Sequence, residues 1–448
     1  MSEQPSPLSI PRTLKIGTFH IGSSFVDLLT SGVLNRILIS DLNIWATPVA
    51  LLSALRYLLA PLGIWAGYRS DTHPIGGLYR LPYIWAGRLP MLLSLPLLPV
   101  IAMLLAADPR SPLGWILAIC TFLIYGVGTL ISGGVFLALV RDTAPPERQG
   151  QAISIVQIFL VVSFPVAGII YGQLMPVYDL GTFWYMTLIG MTIAATFFLF
   201  ALTGAERPRT RPTVDETVEQ PPFTKLLREI WADRPTRRFF LFLALGATSA
   251  FAQDAILEPF GGQVFGLSVG ETTRFNAYWG LGVLVSLVAT IIITRRRQAH
   301  EQVGTTVIGL IGTALPLALL GVVALTESRL LLIPTLFFFG LGFGIYTIGA
   351  ISLLIAMTAD RRAGAYLGLW SVTQLLFRGV GIFLGGFVRD LLFVATGSYT
   401  IAYAGVFFLE AVGLLVCVLL IINVDVPGFV RGTRQVQPAA STLMAALD

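Results

Sequence analysis

"QDAILEPFGGQVFGLSVGE" (residues 253–271) lies inside an otherwise lipid-like run, and its reading decides the fold. Gln253, Asp254 and Glu258 interrupt a stretch of Leu, Phe and Ala; Pro259 then removes a backbone donor, and Gly261 and Gly262 permit a turn. Irregular backbone at membrane depth is tolerated only where it lines a cavity or is buried in protein. The segment therefore reads as the broken end of a spanning helix aimed inward. Asp254 and Glu258, spaced i, i+4, are expected on one helical face.

The surrounding chain supports the membrane reading. Of its 448 residues 55% are hydrophobic and only 12% charged, against roughly a quarter charged in soluble domains. A helix needs about 20 apolar residues to cross a bilayer. The sequence supplies runs at 14–38, 47–66, 84–106, 113–139, 151–174, 181–203, 239–260, 275–294, 303–325, 330–356, 364–391 and 399–423. These runs do not alternate apolar with polar residues, so a β-barrel is excluded. The expected fold is an all-α integral membrane protein of twelve transmembrane helices in two six-helix bundles.

Charge placement sets the orientation. About 22 of the 29 Lys and Arg fall on the side that holds both termini, which marks that side as cytoplasmic and the number of spans as even. The first thirteen residues, "MSEQPSPLSIPRT", are polar and proline-rich, unlike a cleavable signal. With basic residues gathered at one membrane face, the net charge of +5 calls for no nucleic-acid partner. Cys120 and Cys417, both within apolar runs, suit neither a disulfide framework nor a thiolate metal site. No HExxH, cysteine pair or Ser/His/Asp arrangement offers a chemical step.

The chain divides into a bundle over 1–203, a charged, proline-bearing cytoplasmic linker over 204–238, a second bundle over 239–423 and a cytoplasmic tail over 424–448. Within the linker, "FTKLLREIWADR" has the pattern of a short surface helix. The halves also answer to each other. Gly126-x-Gly128, Gly134, Thr143-Ala144 and Arg148-x-Gly150 are matched in order by Gly340-x-Gly342, Gly349, Thr358-Ala359 and Arg362-x-Gly364, and Gly172 then matches Gly386. Such a series indicates a duplicated six-span unit.

Two six-helix halves, cytoplasmic termini and a long middle loop resemble the major facilitator superfamily. "GYRSD" (Gly67 to Asp71) is similar to the start of that superfamily's loop signature between spans two and three. Arg80 stands where its later basic residues would be, although "THPIGGLYR" replaces the usual compact basic run. The resemblance implies that Gly67, Asp71 and Arg80 form a loop that latches the cytoplasmic helix ends.

Ionisable groups inside the spans are the candidate functional residues. A charge at a helix centre costs roughly 2.5 to 3.5 kcal/mol on insertion scales. Asp27, Arg56, Asp254, Glu258 and Arg378 must accordingly face the interior, either as ion pairs that dock the halves or as a ligand or proton site. Arg56 and Arg378 are the available counter-ions. His20 could ligate the magnesium of a tetrapyrrole through a neutral ring nitrogen, or simply be hydrogen-bonded.

A more specific resemblance follows from "QDAILEPFGGQVFGLSVGETTR", with "GVLNRILI" (32–39), "RLPYIW" (80–85), "FFGLGFGIYTIGAISLL" (338–354) and "YLGLWSVTQLLFRGVGIFLGGFVRDLL" (366–392). The chain resembles the PucC family, the bacteriochlorophyll delivery branch of the major facilitator superfamily. That resemblance implies a light-harvesting antenna assembly factor of a phototrophic bacterium, with bacteriochlorophyll as cargo and antenna polypeptides, together with the reaction-centre complex, as partners. It points to Gln253, Asp254, Glu258, Phe260, Gly261 and Gly262 as the functional core, joined by Gln374 and Arg378. Carboxylate and carboxamide oxygens suit magnesium or ring substituents, and Phe260 could stack on a pigment. A proton-coupled carrier of a small anion or lipid, and a non-transporting scaffold for photosynthetic complexes, are the alternatives.

Overall fold

The computed structural model describes residues 8–145, 148–208, 234–294, 299–357 and 363–423. Among them, ten helices are long and apolar enough to cross a membrane, and a bent pair adds an eleventh. A helical run at 10–41, interrupted by two π-helical segments, occupies the first position. We number the spans in chain order: α1 (10–41), α2 (Ala46–Thr72), α3 (Leu81–Ala107), α4 (Pro112–Asp142), α5 (Gln149–Leu174), α6 (Leu180–Leu202), α7 (Arg237–Ala255 with Leu257–Phe265), α8 (Val269–Thr294), α9 (Val303–Thr326), α10 (Arg329–Met357), α11 (Ala363–Thr396) and α12 (Tyr399–Ile422). The proposed linker helix, the tail and the 358–362 half of the repeat lie outside the described residues.

Each half closes on itself at the end carrying the termini, here the proximal end. Arg12 and Lys15 of α1 donate to the Ala205 and Thr203 carbonyls after α6, while Arg238 of α7 donates to the Asn423 carbonyl after α12. Leu93, Ile293, Ile308 and Leu419 point outward. Those apolar residues form the lipid face that such long helices require.

The glycine series has a physical meaning. Gly126 lies against the backbone of Arg56 on α2, and Gly340 against that of Trp279 on α8; Gly128 meets Gly87 on α3, and Gly342 meets Gly312 on α9. Gly172 of α5 meets Gly270 of α8, and Gly386 of α11 meets Ala46 and Ala50 of α2. Each of these matched glycines touches the symmetry-equivalent helix, because backbones approach this closely in lipid only where no Cβ intervenes. Gly134 departs from the series, facing open space where Gly349 packs on Thr306.

The opening segment folds differently from its sequence reading. The break falls upstream of the proline: Ala252–Ala255 form a 3-10 turn, and the helix restarts at Leu257 with a 46° bend. Pro259 consequently sits in the first turn of the new helix, where its missing N–H would have had no intrahelical partner. The span continues to Phe265 rather than ending at 260, and the turn occurs at Gly266, whose φ of +64° suits glycine. Gly261 and Gly262 are helical; they make room for Phe275 and for the Arg36 guanidinium.

Candidate functional site: a paired-charge centre between the halves

The break in α7 separates the two acids that helical spacing would place together. Asp254 turns toward α11, where Arg378 donates to its Oδ2 at 2.7 Å from Nη2 and 3.2 Å from Nε. Glu258 turns toward α1 and α8, and Asn276 donates to its Oε1 at 2.7 Å. Thr273 approaches the other oxygen at 3.4 Å. Glu258 packs on Gly32, in the first π segment of α1, and has no salt bridge among the described residues. π turns displace a helix locally, and here one brings a glycine to meet a buried carboxyl.

Asp27 and Arg56 form the matching pair in the first half, 2.7 Å apart, with the Tyr125 hydroxyl also donating to Asp27. Tyr57 joins the two pairs. Its ring lies 4.6 Å from the Arg56 guanidinium and 4.8 Å from that of Arg378, which also covers Phe251 at 4.2 Å. Asp27, Arg56, Tyr57, Arg378 and Asp254 thus form a continuous chain from one half to the other. Two cations flank one aromatic ring, each balanced by its own carboxylate.

The Asp27, Asp254 and Arg378 side chains are 32%, 27% and 33% exposed. These residues stand at the junction of four helices from the two bundles, and we read their exposure as a cleft between the halves. Arg56 is only 10% exposed and backs the site.

Toward the distal end, where α1 gives way to α2, the cleft is sealed. Arg36 pairs with Asp41 at 2.8 Å and donates to the Leu267 carbonyl at 2.9 Å. Gln263 donates to the Ile39 carbonyl, while its own carbonyl accepts from Arg389 and Tyr403. Asp390 of α11 caps α2, accepting from the backbone N–H groups of Ala46 and Thr47 and from the Thr47 hydroxyl.

Several expected site residues take structural places. Phe260 is fully buried among Phe265, Tyr403 and Phe407, with no face left for a pigment ring. Both His20 ring nitrogens are buried without a partner beside Phe19 and Phe136, so neither reaches a macrocycle at the surface; the donor set does not fit magnesium ligation there. Gln374 lies near the Tyr346 hydroxyl of α10 without closing a hydrogen bond to it. Gln253 is buried, its amide nitrogen held by the Ala250 carbonyl. Among the described residues, no group of three His, Cys, Asp or Glu is placed to hold a metal ion.

The loop after α2 builds a second constellation. Arg80, 1% exposed, binds Asp71, the Ser70 hydroxyl and Asp142 of α4. Gly76 and Gly77 take φ of +61° and +76° in the tight turn closed by the Ile75–Leu78 bridge. Gly67 has no neighbour that a Cβ would meet, so packing does not require it. Glu206, absent from the sequence reading, accepts from the N–H groups of Tyr79, Arg80 and Leu81 and so caps α3. Glu206→Ala is expected to destabilise the first bundle by about 1–2 kcal/mol, as loss of a strong cap does. Thermal unfolding in detergent checks this, and an unchanged midpoint would deny Glu206 that role.

Two six-helix bundles related by internal symmetry, meeting at a charged centre, define a membrane protein of the major facilitator fold. In agreement, the structure of a mutant nucleoside transporter NupG superposes with a TM-score of 0.67 at 14% identity, over 92% of this chain and 99% of that one. The family model described as PUCC protein matches residues 33–429, and the chain belongs to that family. An uncharacterized protein of the puhA-bchM intergenic region of Rhodobacter capsulatus is 29% identical, over 91% of this chain and 86% of its own length. Protein PucC of the same species is 28% identical over 97% and 95%. A protein named bacteriochlorophyll synthase 44.5 kDa chain, also from Rhodobacter capsulatus, is 28% identical over 91% and 93%.

Proposed function

We propose that this protein is a light-harvesting antenna assembly factor that binds or delivers bacteriochlorophyll in a phototrophic bacterium. Its partners are antenna polypeptides and the reaction-centre complex, and it resides in the bacterial cytoplasmic or photosynthetic membrane with both termini cytoplasmic. The observation that carries this reading is family membership along 33–429, together with a relative named for bacteriochlorophyll synthase. No catalytic step is assigned to it.

The geometry is compatible with a cargo that carries its own metal. His20 is walled off, so pigment recognition falls to polar substituents at the Asp27–Arg56 and Asp254–Arg378 pairs and to apolar contacts around them. Arginine donors held in a fork suit carbonyl and ester oxygens. Protein purified in mild detergent is expected to show a bacteriochlorophyll absorption band. Absence of pigment, together with normal antenna levels in a deletion strain, would defeat the proposal.

A second reading, a proton-coupled carrier of a small anion or lipid, is favoured by one observation: the charged pairs are partly exposed between the halves. Uptake into proteoliposomes driven by a pH gradient separates the two. Transport by an Asp254→Asn variant at the normal rate would remove that residue from the coupling.

A further inference from the structure

The repeat that relates the halves also shows where they differ. Gly126 of α4 lies against the Arg56 backbone, and Gly340 of α10 lies against that of Trp279. Trp279 on α8 therefore occupies in the second half the place that Arg56 holds in the first. In the same register, Tyr125 before Gly126 answers to Phe339 before Gly340, and Thr129 answers to Phe343. Each of these positions is polar in the first half and aromatic in the second. Arg56 and Tyr125 both donate to Asp27. Their counterparts instead meet each other, the Trp279 ring lying 6.3 Å from that of Phe339.

Touching rings join these aromatic positions to the charged centre. Trp279 lies 5.4 Å from Phe343 of α10, and Phe343 lies 5.4 Å, edge-on, from Phe251 of α7. Phe251 leads the 3-10 turn at the break, and the Arg378 guanidinium that pairs with Asp254 covers its ring at 4.2 Å. Phe339 is 1% exposed and backs the row, whereas Phe251, Trp279 and Phe343 are only partly buried. A further flat ring can join such a row in the offset or edge-to-face geometry that aromatic pairs prefer.

Packing alone does not account for Trp279. Its indole Nε1 is buried without a hydrogen-bond partner among the described residues, and an unmet buried donor costs about 1–3 kcal/mol. A phenyl ring would fill the place without that cost. What tryptophan adds is a larger π face.

We propose that Phe251, Phe343 and Trp279 form a shelf on the second half that seats the flat conjugated ring of the cargo, with Arg378 at its polar edge. The inference rests on the pigment reading above and adds an orientation to it: the ring lies toward the second half. The stacking expected of Phe260 falls to these residues. A small anion would draw nothing from such a shelf.

Titration of the full chain in lipid nanodiscs with bacteriochlorophyll tests it, read by affinity and by circular dichroism in the pigment bands. Trp279→Leu and Phe343→Leu are each expected to weaken binding roughly twofold to tenfold, the worth of one aromatic pair, and to alter the dichroism, which reports how the ring is held. Trp279→Phe is expected to restore most of the affinity. A second arm uses the wild type alone: bacteriochlorophyllide, the ring without its tail, is expected to compete with bacteriochlorophyll, and phytol is not. Competition by phytol equal to that of the tail-less ring would overturn the shelf. Wild type that binds pigment, with affinity and dichroism unchanged in Trp279→Leu and Phe343→Leu, would overturn the shelf and leave the pigment reading standing. Wild type that binds no pigment would overturn both.

Discussion

Asp390→Ala is expected to destabilise the protein by about 4–6 kcal/mol, combining a lost helix cap of about 1 kcal/mol with the roughly 3–5 kcal/mol of breaking a buried ion pair. Losing the carboxylate leaves three donors of α2 unmet and strands Arg389, whose side chain is 3% exposed. Because α2 and α11 belong to opposite halves, the damage falls on the joint between them. Asp390→Asn keeps an acceptor for α2 but not the charge, so its cost should be smaller. Adding Arg389→Met to Asp390→Asn should recover much of the loss, since an apolar side chain removes the unpaired cation. Thermal unfolding in detergent measures all three. Equal loss in Asp390→Asn with and without Arg389→Met would mean that the cap alone matters.

Much of this architecture is legible in the sequence because charge is rare in lipid. Asp27, Arg56, Asp254 and Arg378 stand out in apolar runs, and a charge there must find a partner, so their pairing follows from scarcity. The repeat is legible for a related reason: a glycine needed for backbone contact cannot drift without steric cost, and Gly126 and Gly340 hold matching contacts. The position of the break is not legible, because a proline marks where a helix can begin as well as where it must end. Only the structure shows the 3-10 turn before it.

Other residues escape a sequence reading for different causes. Arg36, Arg389 and Asp390 sit near span ends, where solvent is the default expectation, yet the distal seal buries them. Arg88 and Glu410 carry the same signal as Asp254 and are absent from the candidate set. Arg88 is buried at α3 with its guanidinium 4.6 Å from Phe19 and 5.0 Å from Phe198. Such stacking satisfies a cation without an acid nearby in sequence. Glu258 is conspicuous, but its uncharged partners are not, since the Asn276 and Thr273 contacts depend on the turn at Gly266 that swings α8 back against α7.

Arg378→Leu is expected to impair function more than it impairs folding. Asp254 would lose both guanidinium donors and keep only the long contact from the Gln253 amide, and the Tyr57 ring would keep only Arg56. The Asp254 side chain is 27% exposed to the cleft, so water offsets part of the penalty. The stability loss should therefore fall to about 1–2 kcal/mol, below that of a sealed pair. Cargo binding through the guanidinium has no such relief: a lost charge-assisted hydrogen bond of about 1.5–3 kcal/mol lowers affinity roughly tenfold to a hundredfold. Pairing Arg378→Leu with Asp254→Leu separates the roles. If the two residues only dock α7 against α11, the double variant regains both stability and antenna accumulation in a complemented deletion strain. If the pair receives cargo, stability returns while antenna levels stay low, and it is this split that the exposure of the pair to the cleft predicts.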